Sequence, residues 1–365
     1  MSDEWLTSYE RAVLCRVAEV VMPPGHGLPG AGAPAVARAE RFFGGQPGFV
    51  RQSYRALAWG LESAALARHG TRFTRLDEAR ALALLEKWRG ASYYLRLTLR
   101  YLTVPLKMAH FNNPEIFQLI GCRYAAEPPK AEPRPRWFER VVSGAGVTGP
   151  EEVEADVVVV GTGAGGAVAA KELAEAGLAT VMLEEGRYFT RADFTGRPVE
   201  MQFKLYRDGA ATFTYGNVGI PVAMGMTVGG TTTVNSGTCY RVPEWVLRRW
   251  RHDFGLLEFS PEALAPYYER VERAIDVAPG DPKHLGGCAR VIARGADTLG
   301  YRHRPLQRNA RDCDGQGFCC FGCPTDAKRS TNLSYVPLAL RAGANLYTEC
   351  RAERILTAGG RAVGV

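Results

Sequence analysis

The residues best suited to chemistry lie between positions 161 and 184. Three glycines there have the spacing G-x-G-x-x-G, and an acidic residue follows 23 positions after the first of them. Glycines in this pattern permit a tight turn, let the backbone approach a pyrophosphate and allow a helix to pack closely on a strand. The acidic side chain can accept hydrogen bonds from ribose hydroxyls. The predicted nucleotide-binding residues of this segment are Gly161, Gly163, Ala164, Gly165, Gly166 and Glu184.

The segments around these residues predict the elements that position them. "DVVVV" (156–160) predicts a strand buried on both faces of a parallel sheet, and "AVAAKELAEAGLA" predicts a helix that ends at Gly177. "TVMLEEG" (180–186) predicts the next strand. This β-turn-α-β unit indicates a dinucleotide and leaves FAD and NAD open. It disfavours NADP, because Glu184 would face the 2′-phosphate.

A second glycine cluster, "GMTVGGTTTVNSGTCYR" (225–241), makes the prediction more specific. It resembles the glycine-rich signature of the glucose–methanol–choline (GMC) flavoprotein oxidoreductases, although Met226 stands where that family usually has a basic residue. "LEEG" (183–186) and residues 322–356 also resemble segments of that family. The resemblance implies FAD as the cofactor. It adds Gly229, Gly230 and Asn235 beside the flavin ring, and Ala352 at the adenine contact.

The same resemblance implies an activity. GMC enzymes oxidise the CH–OH group of an alcohol and pass hydride to flavin N5, with a histidine pair late in the chain assisting proton removal. No histidine follows His303, so we expect an N-terminal portion that does not turn over alcohols alone, and the catalytic residues stay unidentified.

The helical region is similar to that of long-chain alcohol oxidases, which favours a hydrophobic substrate, a long-chain alcohol or a sterol. Oxygen and an electron carrier are both open as acceptors.

Four cysteines lie close together at Cys313, Cys319, Cys320 and Cys323. Their spacing is similar to an iron–sulfur segment of some flavin-dependent sugar dehydrogenases. We favour free thiols and predict no metal, but iron–sulfur ligation, zinc and a disulfide stay open. Two alternative functions follow: an iron–sulfur sugar or polyol dehydrogenase, and an FAD-binding fragment without catalysis.

The predicted fold class is α/β, a Rossmann-like FAD-binding domain preceded by an all-α domain. Residues 1–125 predict the helical domain, in which "TSYE" (7–10) has the form of a capping box. Residues 126–152 are rich in proline and glycine and predict a linker, and residues 153–365 predict the FAD-binding domain.

Charge and composition limit the kinds of partner that the chain is expected to bind. The net charge of +7 is spread over 365 residues, and its short basic blocks are interrupted, so no nucleic acid is expected. The N-terminus lacks the pattern of a secretory signal, which favours the cytoplasm. Residues 91–111 are apolar but contain Arg96, Arg100 and Lys107, so this segment is expected to contact a membrane peripherally rather than to cross it.

Overall fold

The computed structural model describes residues 5–46, 48–121 and 133–365. The chain divides into two compact units, Met1–Ala125 and Ala126–Val365. Of the predicted linker, residues 126–132 lie outside the described residues. Residues 133–152 include a short 3-10 helix, Arg136–Arg140, and a strand of the second unit's sheet. The described part of the predicted linker is therefore partly built into the second unit.

The first unit is helical. Its helices are α1 (Ser8–Val21), α2 (Ala33–Gly44), α3 (Gly48–His69), α4 (Glu78–Gly90), α5 (Tyr93–Phe111) and α6 (Pro114–Leu119). Apolar side chains from α1 to α5, among them Leu14, Leu61 and Leu102, form one buried core. Helix α2 follows a glycine- and proline-rich segment and was not predicted.

The start of α1 is fixed by the predicted capping box. The backbone N–H of Glu10 donates to Thr7 Oγ1 at 3.2 Å, and the N–H of Thr7 donates to Glu10 Oε2 at 2.8 Å. These bonds satisfy backbone donors that a helix start leaves without partners. Glu10 also accepts from Arg55 Nε at 2.9 Å and Trp59 Nε1 at 3.0 Å, so this carboxylate links α1 to α3.

The second unit is built on a four-stranded parallel sheet. Its strands are β1 (Val141–Ser143), β2 (Val157–Val160), β3 (Thr180–Leu183) and β6 (Asn345–Thr348), in the spatial order β1-β6-β3-β2. Helices α7 (Ala164–Glu175) and α13 (Tyr335–Arg341) pack on it, with Ala170, Val336 and Leu346 in the shared core. The predicted β-turn-α-β unit is β2, α7 and β3, and the Rossmann-like α/β fold is confirmed.

One detail of the strand prediction was wrong. The valines of β2 are not all buried, because Val158 is 37% and Val160 55% exposed. Val158 and Val160 lie on the face of β2 opposite Val159, and Val159 packs against the core that α7 helps to form; β2 is also the edge strand of the described sheet. The side chains on the opposite side, Val157 and Val159, are half-buried.

The other elements of the second unit extend from this sheet. They are α8 (Pro198–Leu205), α9 (Thr231–Val234), α10 (Glu244–Phe254), α11 (Pro261–Ala274), β4 (Ala278–Pro279), α12 (Gly287–Thr298), β5 (Gln307–Arg308), β7 (Leu356–Ala358) and β8 (Arg361–Gly364). Strands β4 and β5 pair antiparallel, as do β7 and β8. Across the described ranges, no helix is both long and apolar enough to cross a membrane.

Candidate functional site

The first glycine cluster forms the turn between β2 and α7. Gly161 has φ +88°, a left-handed conformation that favours glycine, and its N–H donates to the Leu183 carbonyl at 2.7 Å. A Cβ on Gly166 would lie 2.0 Å from the Gly161 oxygen. Among the described residues, no atom from outside the turn and its helix lies within 4 Å of a Cβ built on Gly163 or Gly165. Gly166 is therefore required for the close packing of α7 on β2, whereas the missing side chain of Gly163 leaves open space beside the turn.

The second glycine cluster meets the first at this turn. A Cβ built on Gly230 would lie 3.2 Å from the Gly163 Cα. The Gly229 N–H donates to Thr162 Oγ1 at 3.0 Å, and α9 begins directly after Gly230. The two motifs are more than 60 residues apart in sequence, and the fold brings their backbones into contact. A Cβ at Gly230 would make this approach tighter than most Cβ contacts, and the φ of +51° there also favours glycine.

Thr162 connects the turn to Glu184. Its N–H and its hydroxyl both donate to Glu184 Oε2, at 2.9 and 2.6 Å, while the Gly186 N–H donates to Oε1 at 3.0 Å. The Thr162 carbonyl accepts from Thr331 Oγ1 at 2.9 Å. Glu184 thus braces the turn as well as bordering the space beside it. Thr162 and Thr331 were not among the predicted residues, and the local signal for Thr162 was a hydroxyl side chain inside the glycine motif.

A cavity of about 510 Å³ opens where β2 and β3 end. Ligands of parallel α/β sheets bind at this edge. Five of the predicted residues line the cavity: Gly161, Gly163, Glu184, Gly230 and Ala352. The cavity's lining does not include five others: Ala164, Gly165, Gly166, Gly229 and Asn235. The ligand contacts of all ten residues stay predictions.

A charged cluster borders the same cavity. Arg207 donates to both oxygens of Glu185, at 3.1 and 2.5 Å, and Arg351 lies 3.8 Å from that carboxylate. The hydrogen bond from Arg207 lowers the pKa of Glu185, so the pair stays ionised. All three residues line the cavity, and the sequence analysis had singled out none of them. The sequence signal for this charged cluster was the second acidic residue of "LEEG", Glu185.

Asn235 lies away from the cavity lining. Its side chain is exposed, and its Oδ1 accepts from the Gly237 N–H at 2.9 Å. Its carbonyl accepts from Lys328 Nζ at 2.8 Å. Lys328, which the sequence analysis also missed, is 1% exposed, and burial lowers its pKa to about 8. Asn235 therefore shapes the segment after α9, and its predicted contact with a flavin stays a prediction.

The cysteine segment adjoins Lys328. Cys319 Sγ accepts from Arg308 Nη2 at 3.0 Å, and Cys323 Sγ accepts from the Lys328 N–H at 3.4 Å. The eight cysteines in the described ranges are all free thiols. Within those ranges no three potential ligand side chains are grouped to hold a metal ion.

Comparison with known proteins identifies the family. Residues 202–365 match the GMC oxidoreductase family, and residues 156–193 match the FAD binding domain. An uncharacterised GMC-type oxidoreductase of Mycobacterium tuberculosis is 36% identical over 353 residues, which is 96% of this chain and 55% of that protein. These matches identify a GMC oxidoreductase domain in this chain. The chain spans about half the length of the relatives that it matches along most of its sequence.

Other relatives match a smaller part of this GMC chain. A long-chain-alcohol oxidase of Arabidopsis thaliana is 34% identical over 204 residues, 56% of this chain and 27% of that protein. A GMC-type oxidoreductase of Sinorhizobium fredii is 35% identical over 214 residues, 59% of this chain and 42% of that protein. A crystal structure of pyridoxine 4-oxidase from Mesorbium loti covers 57% of this chain and 45% of its own, with 17% identity and a TM-score of 0.43.

The GMC family consists of flavoproteins, so FAD is the cofactor. The residues present fit that group. The open space at Gly163 and Gly165 lies at the start of α7, beside a cavity that the second glycine cluster also borders. The free N–H groups and the dipole of a 12-residue helix favour a phosphate at this end. Glu184 also lines this cavity, and its carboxylate already accepts hydrogen bonds from Thr162 and Gly186.

Proposed function

We propose that this chain provides the FAD-binding part of an oxidoreductase that acts on the CH–OH group of an alcohol. The observation that carries the proposal is the contact between the two glycine clusters, where Gly230 meets Gly163 at the rim of the cavity. One cluster alone would suit several dinucleotides. The second cluster, in contact with the first, is the arrangement expected around a flavin. When bound, FAD accepts hydride from the alcohol carbon at N5.

The described residues have defined tasks in this proposal. The turn at residues 161–166 holds the pyrophosphate, Glu184 accepts from the ribose, and Ala352 borders the adenine. Thr162 keeps Glu184 in position by two hydrogen bonds. The ion pair of Arg207 and Glu185 fixes the rim of the cavity. The base that removes the hydroxyl proton is not assigned to any of these residues.

The proposed substrate is a hydrophobic alcohol. Several relatives are named long-chain-alcohol oxidases, which favours a long-chain alcohol over a sugar. Another relative is named 6'''-hydroxyparomomycin C oxidase, so a polar alcohol is the competing substrate class. With the general base supplied, dodecanol should reduce the bound flavin under anaerobic conditions with a larger second-order rate constant than glucose. A preference for glucose would contradict this part of the proposal.

The proposal includes peripheral contact with a membrane from the cytoplasmic side. Tyr93, Tyr94 and Leu95 are exposed at the start of α5, with Arg96 and Arg100 beside them. Aromatic rings beside basic side chains suit an anionic membrane surface. The chain should sediment with vesicles that contain phosphatidylserine, and a Tyr94→Ser/Leu95→Ser variant should stay in the supernatant. Equal sedimentation of both would exclude this surface.

Cofactor identity is tested on the purified chain. It should carry the absorption spectrum of a flavin, or acquire it when FAD is added, and NAD should not displace the flavin. The spectrum reports the cofactor directly and requires no turnover. A chain that takes up no FAD but retains NAD would show that the proposed function is wrong.

A further inference from the structure

Lys328 is a lysine in an unusual position. Its side chain is 1% exposed, although lysine is almost never fully buried without partners. An ammonium group has three N–H donors. Here they are directed at the carbonyl oxygens of Thr233, Asn235 and Cys319, at 2.7, 2.8 and 2.6 Å. The hydrogen-bonding capacity of the group is therefore fully used.

Those three acceptors belong to two different segments. Thr233 and Asn235 lie at the C-terminal end of α9, and Cys319 lies in the cysteine-rich segment 313–323. The first residue of α9, Thr231, lines the cavity together with Gly230. At 1.5 Å per residue the four residues of α9 span about 6 Å. Lys328 thus holds one end of a short element whose other end borders the proposed FAD site.

In the described part of the chain, no carboxylate forms an ion pair with Lys328. Three carbonyl dipoles offset part of the cost of burying its charge, and the nearby side chains of Cys319, Cys323 and Cys320 act to raise its pKa against the larger effect of burial. The following segment is shaped around its stem, since a Cβ on Gly237 would lie 3.3 Å from both Cγ and Cδ of Lys328. A retained positive charge close to the site favours an anionic cofactor.

We propose that Lys328 is a positioning residue of the FAD site. Its ammonium group fixes α9 and the glycines before it against the cysteine segment. Its positive charge contributes to the electrostatic environment of the bound cofactor. This inference rests on the proposed function, because it requires FAD in the cavity. Lys328 lies outside both glycine clusters and would act on the FAD site by positioning them.

The test compares Lys328→Met, which keeps much of the volume and removes the charge, with Lys283→Met as a matched control. Lys283 is an exposed lysine of the same unit, paired with Asp281. For Lys328→Met, the FAD Kd from flavin fluorescence should rise about tenfold or more. Amide exchange should become faster in residues 229–237 of the cofactor-free chain. At saturating FAD, the midpoint potential of the flavin should become more negative. The control should match the wild type in all three measurements.

The outcomes separate the inference from the proposed function. If the wild type binds no FAD, the proposed function fails, and the inference fails with it. If the wild type binds FAD and a folded Lys328→Met variant has the same Kd and the same midpoint potential, only the inference is overturned. A loss of affinity without any change in potential would reduce Lys328 to a structural residue and overturn the electrostatic part. Should Lys328→Met not fold, Lys328→Gln is judged by the same measurements.

Discussion

At the residue scale, the glycines of the first turn differ in what they do. Gly161 adopts a left-handed conformation, Gly166 lies against the Gly161 carbonyl, and Gly163 and Gly165 face open space. One motif therefore combines residues needed for folding with residues whose missing side chains leave room for a ligand. This distinction leads to opposite expectations for neighbouring substitutions.

Gly166→Ala should destabilise the chain by more than about 2 kcal/mol, because the added Cβ would lie 2.0 Å from the Gly161 oxygen and force β2 and α7 apart. Gly165→Ala is the matched control, since its Cβ meets no atom within 4 Å. It should leave the free energy of unfolding nearly unchanged. Urea unfolding followed by circular dichroism measures both. Equal stabilities for the two variants would contradict the packing role of Gly166.

The sequence predicted the glycines of the site but not its polar supports. Gly161, Gly163 and Gly230 could be found because their spacing is local. Thr331, by contrast, reaches the Thr162 carbonyl across 169 positions, and Lys328 meets α9 across more than 90. Such pairs depend on the tertiary arrangement of segments, which no spacing within one segment reveals.

At the scale of elements, α7, β2 and β3 followed from hydrophobic patterning and from the glycines that bound them. The other two strands of the sheet, β1 and β6, could not be predicted in this way. β1 has only three residues and lies within a segment rich in proline and glycine, and β6 joins the sheet between β1 and β3. The exposure of Val160 was also unpredictable, because four valines in a row do not show whether a strand is central or at the edge.

The hydrogen bonds by which Glu10 links α1 to α3 predict how the free energy of unfolding changes at low pH. Burial alone would raise the pKa of Glu10, but hydrogen bonds from Thr7, Arg55 and Trp59 outweigh it and lower the pKa from 4.5 to about 2. A carboxyl with a lowered folded-state pKa stabilises the fold above its unfolded pKa and loses that contribution as the pH falls. Glu10 should thus contribute roughly 3 kcal/mol at pH 7, lost between about pH 4.5 and 2.

Glu10→Gln should accordingly lower the free energy of unfolding of the helical unit at pH 7, and the difference from the wild type should shrink toward pH 2. Glu19→Gln is the control, because Glu19 lies on the same helix but is half exposed and pairs with Arg16 at the surface. Denaturant titrations of the three proteins at several pH values provide the comparison. A difference that stays constant with pH would contradict the role given to the Glu10 carboxylate.

At the scale of the whole molecule, the helical unit and the FAD-binding unit each have their own core. The match to the Mycobacterium tuberculosis relative covers 96% of the chain and so includes both units, whereas the match to the Arabidopsis thaliana oxidase covers 56%. The sequence predicted the α/β class and the order of the two regions. The exact limits of the domains and the role of the helical unit stay predictions.

If FAD binds where the two glycine clusters meet, a side chain at Gly163 should prevent its binding, and titration of FAD into Gly163→Val measures this effect. The control is Gly60→Val, a glycine of α3 whose Cβ position is also open. Both variants should fold, because neither side chain meets an atom within 4 Å at its Cβ. Gly163→Val should lose FAD binding by about 100-fold or more, because its side chain occupies the place of the pyrophosphate. Gly60→Val should bind FAD like the wild type. Wild-type affinity in a folded Gly163→Val variant would contradict the account.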